Sequence, residues 1–504
     1  MPNLLFIILD TQRRDRMSLY GHVRPTSPRL DDFAAAGRVY EAAIAPAQWT
    51  ISSHASMFTG LYPYQHATNQ ANHRLPDALT SVVEWLRAGG YHTVGFCNNP
   101  LIGLIDNGLD RGFERFYHYA SPAPQRPTRR PLPPVLAGAW RGFSQLTRRT
   151  INRFAHNEAL FRASLHPLIS PIWSRWVNYK GSVAASTHDL RAYWHQHRRS
   201  SRQPIFAFLN LMGTHMPLRP PRQWIDHIAP ELRHDRAALR WMAAYNGDGL
   251  RWISPAVPPL VAWQQHALGA VYDAAAAEQD HYLGAMLTGM QADGDLDDTL
   301  VIIGADHGEG LGDHGYCGHS FVVNHELTHV PWLMWWRGNI APAREPSVIS
   351  TRRVFHTLLD AAGLGRTLPI DDPAGSVEAL SLLRAGGEAE QNTALSEAYP
   401  ATTLLNTLRY RMPGIIEERR LNEVRRAVVR GEYKLTTVGD DPEALYHLPT
   451  DPTERINHLS AQPTLAAELH SVLRQALSSA VSVPVQQDFS PPVLDNLRAL
   501  GYVE

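Results

Sequence analysis

Through residues 1–345, short and continuously apolar runs alternate with amphipathic stretches of helix length. Leu4 to Leu9, Thr93 to Cys97, Ile205 to Leu211, Leu300 to Ile303 and Pro331 to Trp335 are the clearest of these runs. A strand without polar alternation is covered on both faces. Such strands, separated by helix-length segments, predict a mostly parallel sheet flanked by helices. Functional side chains in such sheets gather beyond the carboxyl ends of the strands. Asp10 directly follows the first run, and Asp306-His307 lies just past the run ending at Ile303. The pattern therefore predicts that these side chains share a site.

The alternation breaks between residues 120 and 200. That stretch opens with Pro122, Pro124, Pro127, Arg129-Arg130 and Pro131, then interleaves arginines with Trp140, Phe143, Phe154, Phe161, Trp173 and Trp176. Two readings stand: an insertion whose aromatic face packs on the core, or a lid that shapes access for an anionic substrate. After residue 345 the composition shifts. Arg430 to Leu435 and Ala444 to Leu448 read as strands around a turn, and Pro463 to Leu477 as an amphipathic helix. The expected organisation is a catalytic α/β domain over 1–345, containing the lid-like insertion at 120–200. A smaller α+β subdomain follows over 346–504, with a small antiparallel sheet and a terminal helix.

Composition narrows the function more than the fold. The chain has 504 residues, 44% hydrophobic and 19% charged, with a net charge of -1. That near-neutral balance gives no electrostatic footing for nucleic acid. No apolar run approaches the roughly 18 residues of a membrane span. Met1 to Asp10 lacks a basic leader and a cleavage site, so it reads as a buried strand ending in a carboxylate. A cytoplasmic protein acting on a small molecule is expected, and a homo-oligomer is left open. The two cysteines, Cys97 and Cys317, leave a pairing open but define no disulfide framework.

Asp10, Thr50, Asp306 and His307 are candidate ligands for one divalent cation. Carboxylate oxygens with one imidazole suit Mn²⁺ or Zn²⁺ better than Mg²⁺ or Ca²⁺. Singly, each is ambiguous: an Asp after a strand often caps a helix, and a Thr among serines is often a turn residue. Their joint order is more specific. Thr50-Ile51-Ser52-Ser53-His54-Ala55-Ser56-Met57-Phe58-Thr59-Gly60 lies about 40 residues after the strand-end Asp10, and Asp306-His307-Gly308-Glu309 with Gly312-Asp313-His314-Gly315 follows near residue 300. This order resembles the alkaline phosphatase/sulfatase superfamily. Thr26-Ser27-Pro28-Arg29-Leu30-Asp31, Thr214-His215-Met216-Pro217, Leu445-Tyr446-His447-Leu448 and the closing Leu500-Gly501-Tyr502 look like bacterial sulfatase-like hydrolases.

The resemblance implies a metal-dependent hydrolase fold and a role for each matched position. Thr50 stands where sulfatases carry the cysteine that is oxidised to formylglycine, and His54 replaces an arginine. Asp10 is followed by Thr11 in place of a second acid. His307 stands in place of an asparagine, and His319 in place of a lysine. A threonine hydroxyl cannot become formylglycine, but it can attack phosphorus when a metal lowers its pKa. By resemblance, His215 and His319 contact the anionic group and protonate the leaving oxygen, and His54 replaces an arginine that holds the nucleophile or the metal environment; Asn99, in Asn98-Asn99-Pro100, is a candidate neutral donor to a non-bridging oxygen. Asp15, Asp313, His314 and Glu326 brace loops, while Trp49 and Trp335 shape the pocket. The expected activity is cleavage of a small anionic ester, a phosphodiester or phosphonate monoester, through a covalent Thr50 intermediate. The alternatives are a sulfate ester hydrolase without formylglycine and a soluble phosphotransferase.

Overall fold

The computed structural model describes residues 1–70, 72–120, 180–252, 254–365, 377–384 and 386–478, with 124–127, 159 and 168–169. Most of the basic, aromatic stretch at 120–200 and the closing run at 497–504 lie outside the described residues.

Fourteen strands are described. β1 (Asn3–Leu9), β2 (Arg38–Ile44), β3 (His92–Cys97), β4 (Arg115–His118), β5 (Ile205–Leu211) and β6 (Thr299–Gly304) come first. Two short strands, β7 (Gly310–Leu311) and β8 (Cys317–Gly318), pair with each other. β9 (His329–Trp335) and β10 (Ala343–Ser350) complete an eight-stranded sheet in the order β10-β2-β9-β6-β1-β5-β3-β4. All its pairings are parallel except those of β9, which runs antiparallel to both β2 and β6. Every apolar run named from the sequence falls in one of these strands. All seven residues of β1 are buried, as a central strand flanked by two others and covered on both faces requires.

Helices cover the sheet on both sides. Phe58, Leu86, Phe355 and Leu358 pack against Phe6, Phe208 and Trp332 on one face. Trp194, Leu283, Leu287 and Met290 pack against Ile7, Leu209 and Ile303 on the other. The strand β10 spans residue 345 and pairs with β2. A second, antiparallel sheet contains β11 (Thr393–Ala398), β12 (Arg425–Arg430), β13 (Tyr433–Val438) and β14 (Asp441–His447). The helix Pro463–Ser478 lies on it through Leu469 and Leu473. The smaller sheet touches the segment before Thr50: Glu397 N donates to Pro46 O at 3.0 Å, and Ser396 Oγ also bonds Ala45 O. Both cysteines are buried and free, so no disulfide joins them.

Candidate active site

The four neighbouring strands β6, β1, β5 and β3 are mutually parallel, so their carboxyl ends open on one edge of the sheet. Asp10 follows β1, Asn99 follows β3, His215 follows β5, and Asp306-His307 follows β6. Thr50 is the first residue of the helix Thr50–Thr59, which enters the same edge with no capping side chain. The residues that make the sequence motif recognisable are largely those that build this helix. Thr59 Oγ1 donates to Ala55 O at 2.7 Å, and Ser56 Oγ pairs with His66 Nε2 at 2.8 Å. Gly60 ends the helix at φ +76°, where a Cβ would lie 2.8 Å from Phe355 and His356.

Asp10, Thr50, Asp306 and His307 are fully buried. Asn99 Nδ2 donates to Asp10 Oδ2 at 2.6 Å, and Asn210 Nδ2 donates to the same oxygen at 3.2 Å. Asp306 Oδ1 accepts from the amides of Thr11 (3.2 Å) and His307 (3.0 Å). Thr11 serves in this way at φ +60°, an uncommon conformation for a β-branched residue. The other carboxylate oxygens, Asp10 Oδ1 and Asp306 Oδ2, are enclosed without a hydrogen-bond partner. Burial, and then the neighbouring Asp306, pushes Asp10 up to about 7; burial likewise pushes Asp306 up to about 7. Two enclosed carboxylates facing one another call for a cation.

His307 completes that demand. Its Nδ1 lies 2.9 Å from Gly308 O, and a carbonyl only accepts, so Nδ1 carries the proton and Nε2 offers a lone pair. Burial, then His319, lowers His307 to about 4 and keeps it neutral. One ligand atom from each of Asp10, Asp306 and His307 lies within 4.8 Å of the others. The group fits a divalent cation. Thr50 Oγ1 stands beside it, 3.2 Å from His307 Nε2 and 3.5 Å from Asn99 Nδ2.

The remaining candidates divide by position. His215 and His319 face each other with ring centres 5.0 Å apart, and His319 is 4.5 Å from His307. His215 Nδ1 donates to Met216 O at 2.5 Å, which makes Nε2 the accepting nitrogen of the neutral ring. His54 lies behind Thr50. Its Nδ1 donates to Thr50 O at 2.8 Å, and its ring meets Phe58 and Phe208 edge-on. Burial lowers it to about 3, so it carries no charge. Asp15 and Asp313 clamp the buried Arg13 at 2.7 and 2.6 Å, and His314 pairs with Glu326 at 3.1 Å. Trp335 is a correction: it is buried against Phe33 in the core. Because β9 runs antiparallel, its last residue sits opposite Val301 near the start of β6, away from the site.

Three participants escaped the sequence reading. Glu309, fully buried, has Oε1 2.9 Å from His319 Nδ1, and burial raises it to about 8. Asn210 was hidden within an apolar strand, where an interior amide was the available signal. Lys180 Nζ donates to the carbonyls of Gly213 (2.9 Å), His215 and Pro217 (3.3 Å), tying down the loop that carries His215. Its signal was rarity, since the chain has two lysines among 47 basic residues.

An α/β protein with this sheet and this polar group at its carboxyl edge belongs to the class of ester-bond hydrolases. The chain is a member of the sulfatase family, whose model, Sulfatase, matches residues 2–364. It is 24% identical over 407 residues to an arylsulfatase of Clostridium perfringens, covering 76% of this chain and 77% of that one. It is 23% identical over 525 residues to arylsulfatase A of Homo sapiens, covering 97% and 90%. Among solved structures, the phosphonate monoester hydrolase of Agrobacterium radiobacter aligns with a TM-score of 0.65 at 20% identity, covering 95% of this chain and 96% of that one. At that identity the likeness is one of fold. No helix among the described residues is long and apolar enough to cross a membrane.

Proposed function

We propose that this sulfatase-family protein is a metal-dependent hydrolase of phosphodiesters or phosphonate monoesters that works through a covalent Thr50 intermediate. The observation that carries the reading is the Thr50 hydroxyl, 3.2 Å from His307 Nε2 and beside the enclosed Asp10 and Asp306 carboxylates. A divalent cation held by Asp10, Thr50, Asp306 and His307, with Mn²⁺ or Zn²⁺ suiting that donor set, would lower the Thr50 pKa and neutralise charge on the ester oxygens. Asn99 donates toward the nucleophile and a non-bridging oxygen, and the uncapped helix start favours the anion.

The residues of this chain then carry the protons. Thr50 Oγ1, deprotonated at the start of the cycle and again at its end, forms a bond to phosphorus as the bond to the leaving oxygen breaks. His319, held by Glu309 at Nδ1, gives the proton on its other ring nitrogen to that oxygen. Water next forms its bond to phosphorus as the bond to Thr50 breaks, and His215 Nε2 takes the water's proton. His215 returns it to the facing His319, which restores the starting state. His54 acts as a positioning residue through the Thr50 carbonyl.

The arylsulfatase relatives favour a second reading, in which the same hydroxyl attacks sulfur. The test measures turnover of a bis-aryl phosphate, an aryl phosphonate monoester and an aryl sulfate side by side, with Mn²⁺ or Zn²⁺ added, in wild type and Thr50→Ala. Phosphoester turnover that falls at least about a thousandfold in the variant supports the proposal. Dominant sulfate turnover replaces it with the second reading, and undiminished turnover in the variant removes Thr50 from the mechanism. Faster release of the aryl group on adding an acceptor alcohol would mark a phosphotransferase.

A further inference from the structure

Lys180 and Gly181 join two of the strand ends that build the site. Gly181 N donates to Asn98 O at 3.0 Å, next to Asn99. A Cβ on Gly181 would lie 2.6 Å from both Asn98 Oδ1 and Tyr119 Cβ, so the missing side chain is what permits this approach. Ser182 then caps the helix Val183–Ser200 by accepting from Ala185 N at 3.2 Å. Fixed at its root in this way, the Lys180 side chain reaches the loop after β5. Its Nζ donates to Gly213 O (2.9 Å), His215 O and Pro217 O (3.3 Å).

An ammonium carries three donors, and here all three are spent on carbonyls of one loop. Bonds from a charged donor are about twice as strong as neutral ones. The other holds on this turn are longer: Met216 N lies 3.4 Å from Glu309 Oε2, and His215 N 3.4 Å from Met212 O. The carbonyl between two of the gripped ones is Met216 O, which accepts from His215 Nδ1 at 2.5 Å. Lys180 therefore holds the backbone on both sides of the group that orients the His215 ring.

We propose that Lys180 is a positioning residue for the second half of the reaction, in which water releases the phosphoryl group from Thr50. The inference rests on the hydrolase reading above. In that step the water oxygen bonds to phosphorus, the bond from phosphorus to Thr50 Oγ1 breaks, and the water's proton goes to His215 Nε2. The grip of Lys180 keeps that nitrogen in place. Groups used in the first half are held by other partners: Asp10 by Asn99 and Asn210, and His319 Nδ1 by Glu309 at 2.9 Å. Loss of the ammonium is thus felt first at His215.

The test follows a bis-aryl phosphate with the metal-supplemented full-length enzyme, its Lys180→Met variant, which keeps the length and loses the donors, and Lys180→Arg. A catalytic group misplaced by about 1 Å costs about a hundredfold. In Lys180→Met, kcat is expected to fall by about that factor while kcat/KM stays within about threefold, because kcat/KM reports only the first half. Rapid mixing should show a burst of about one aryl alcohol per site. Equal falls in kcat and kcat/KM without a burst, or an unchanged kcat, overturn the proposal. Should Lys180→Met fail to fold, Lys180→Arg is read in the same way, with an expected fall of about tenfold in kcat alone. If wild type turns over no phosphodiester, or Thr50→Ala turns it over undiminished, the hydrolase reading is what fails. Amide hydrogen exchange then judges Lys180 separately: faster exchange over 213–217 in the variant, with β5 unchanged, supports its hold on the loop, and equal exchange overturns it.

Discussion

Adding one methyl group at Gly308 is expected to disable the site while leaving the protein folded. A Cβ at this position would lie 1.8 Å from the carbonyl oxygen of Glu326 and 3.3 Å from Leu327 Cα. Both are backbone atoms, so no flexible side chain can swing aside. Reaching even the tight limit of about 3.0 Å requires a shift of at least about 1.2 Å between the two segments. The Gly308 amide is meanwhile tied to Leu327 O at 2.8 Å, and its carbonyl accepts from His307 Nδ1 at 2.9 Å. The displacement therefore passes directly to the His307 ring. Overpacking of this kind costs about 1–3 kcal/mol. With an unfolding entropy of roughly 1 kcal/mol/K for a chain of this size, Gly308→Ala lowers Tm by only about 1–3 °C. A reactive group misplaced by about 1 Å loses about a hundredfold in rate. Scanning calorimetry, Mn²⁺ or Zn²⁺ titration and ester turnover on the same preparations check both parts. A variant with wild-type metal affinity and turnover would refute the reasoning, whatever its Tm.

Substitutions at two further positions probe the charges around that turn. Glu309→Gln keeps a hydrogen-bonding partner for His319 Nδ1, whereas Glu309→Ala removes it; kcat is expected to fall within about tenfold for Gln and about a hundredfold or more for Ala, and equal losses would mean that Glu309 does not orient the ring. Burial alone would raise the Asp313 carboxyl, but Arg13 at 2.6 Å holds it well below its ordinary value of 3.8. The folded value is depressed, so the contribution is complete at pH above 3.8 and is lost as pH falls through the folded value. Asp313→Asn is therefore expected to cost about 1–2 kcal/mol at neutral pH. The Tm gap to wild type should close as acid is added, and a gap that stays constant to about pH 2 would contradict the assignment.

What was legible in the sequence follows from how each feature is encoded. Strands β1, β3, β5 and β6 are buried on both faces, so each appears as an unbroken apolar run. The Thr50 and Asp306 motifs were legible because their recognisable residues are conformational devices: Gly60 ends the helix, and Gly308 admits the Glu326 carbonyl. Strand direction leaves no such trace. The run Pro331 to Trp335 reads the same in either sense, and its antiparallel course is what carries Trp335 into the core. Partners distant in sequence were hidden as well, since Asn210 reaches Asp10 across 200 positions and has no motif of its own. His54 and Lys180 join these two limits. Position 54 was read as a substitute for an arginine, yet burial holds His54 neutral at about 3. Lys180, near the end of the 120–200 stretch and anchored to the His215 loop, brings a positive charge that Glu309 feels. Spacing along the chain thus brings Thr50 to the site, but it does not reveal which of the groups packed around it carry charge.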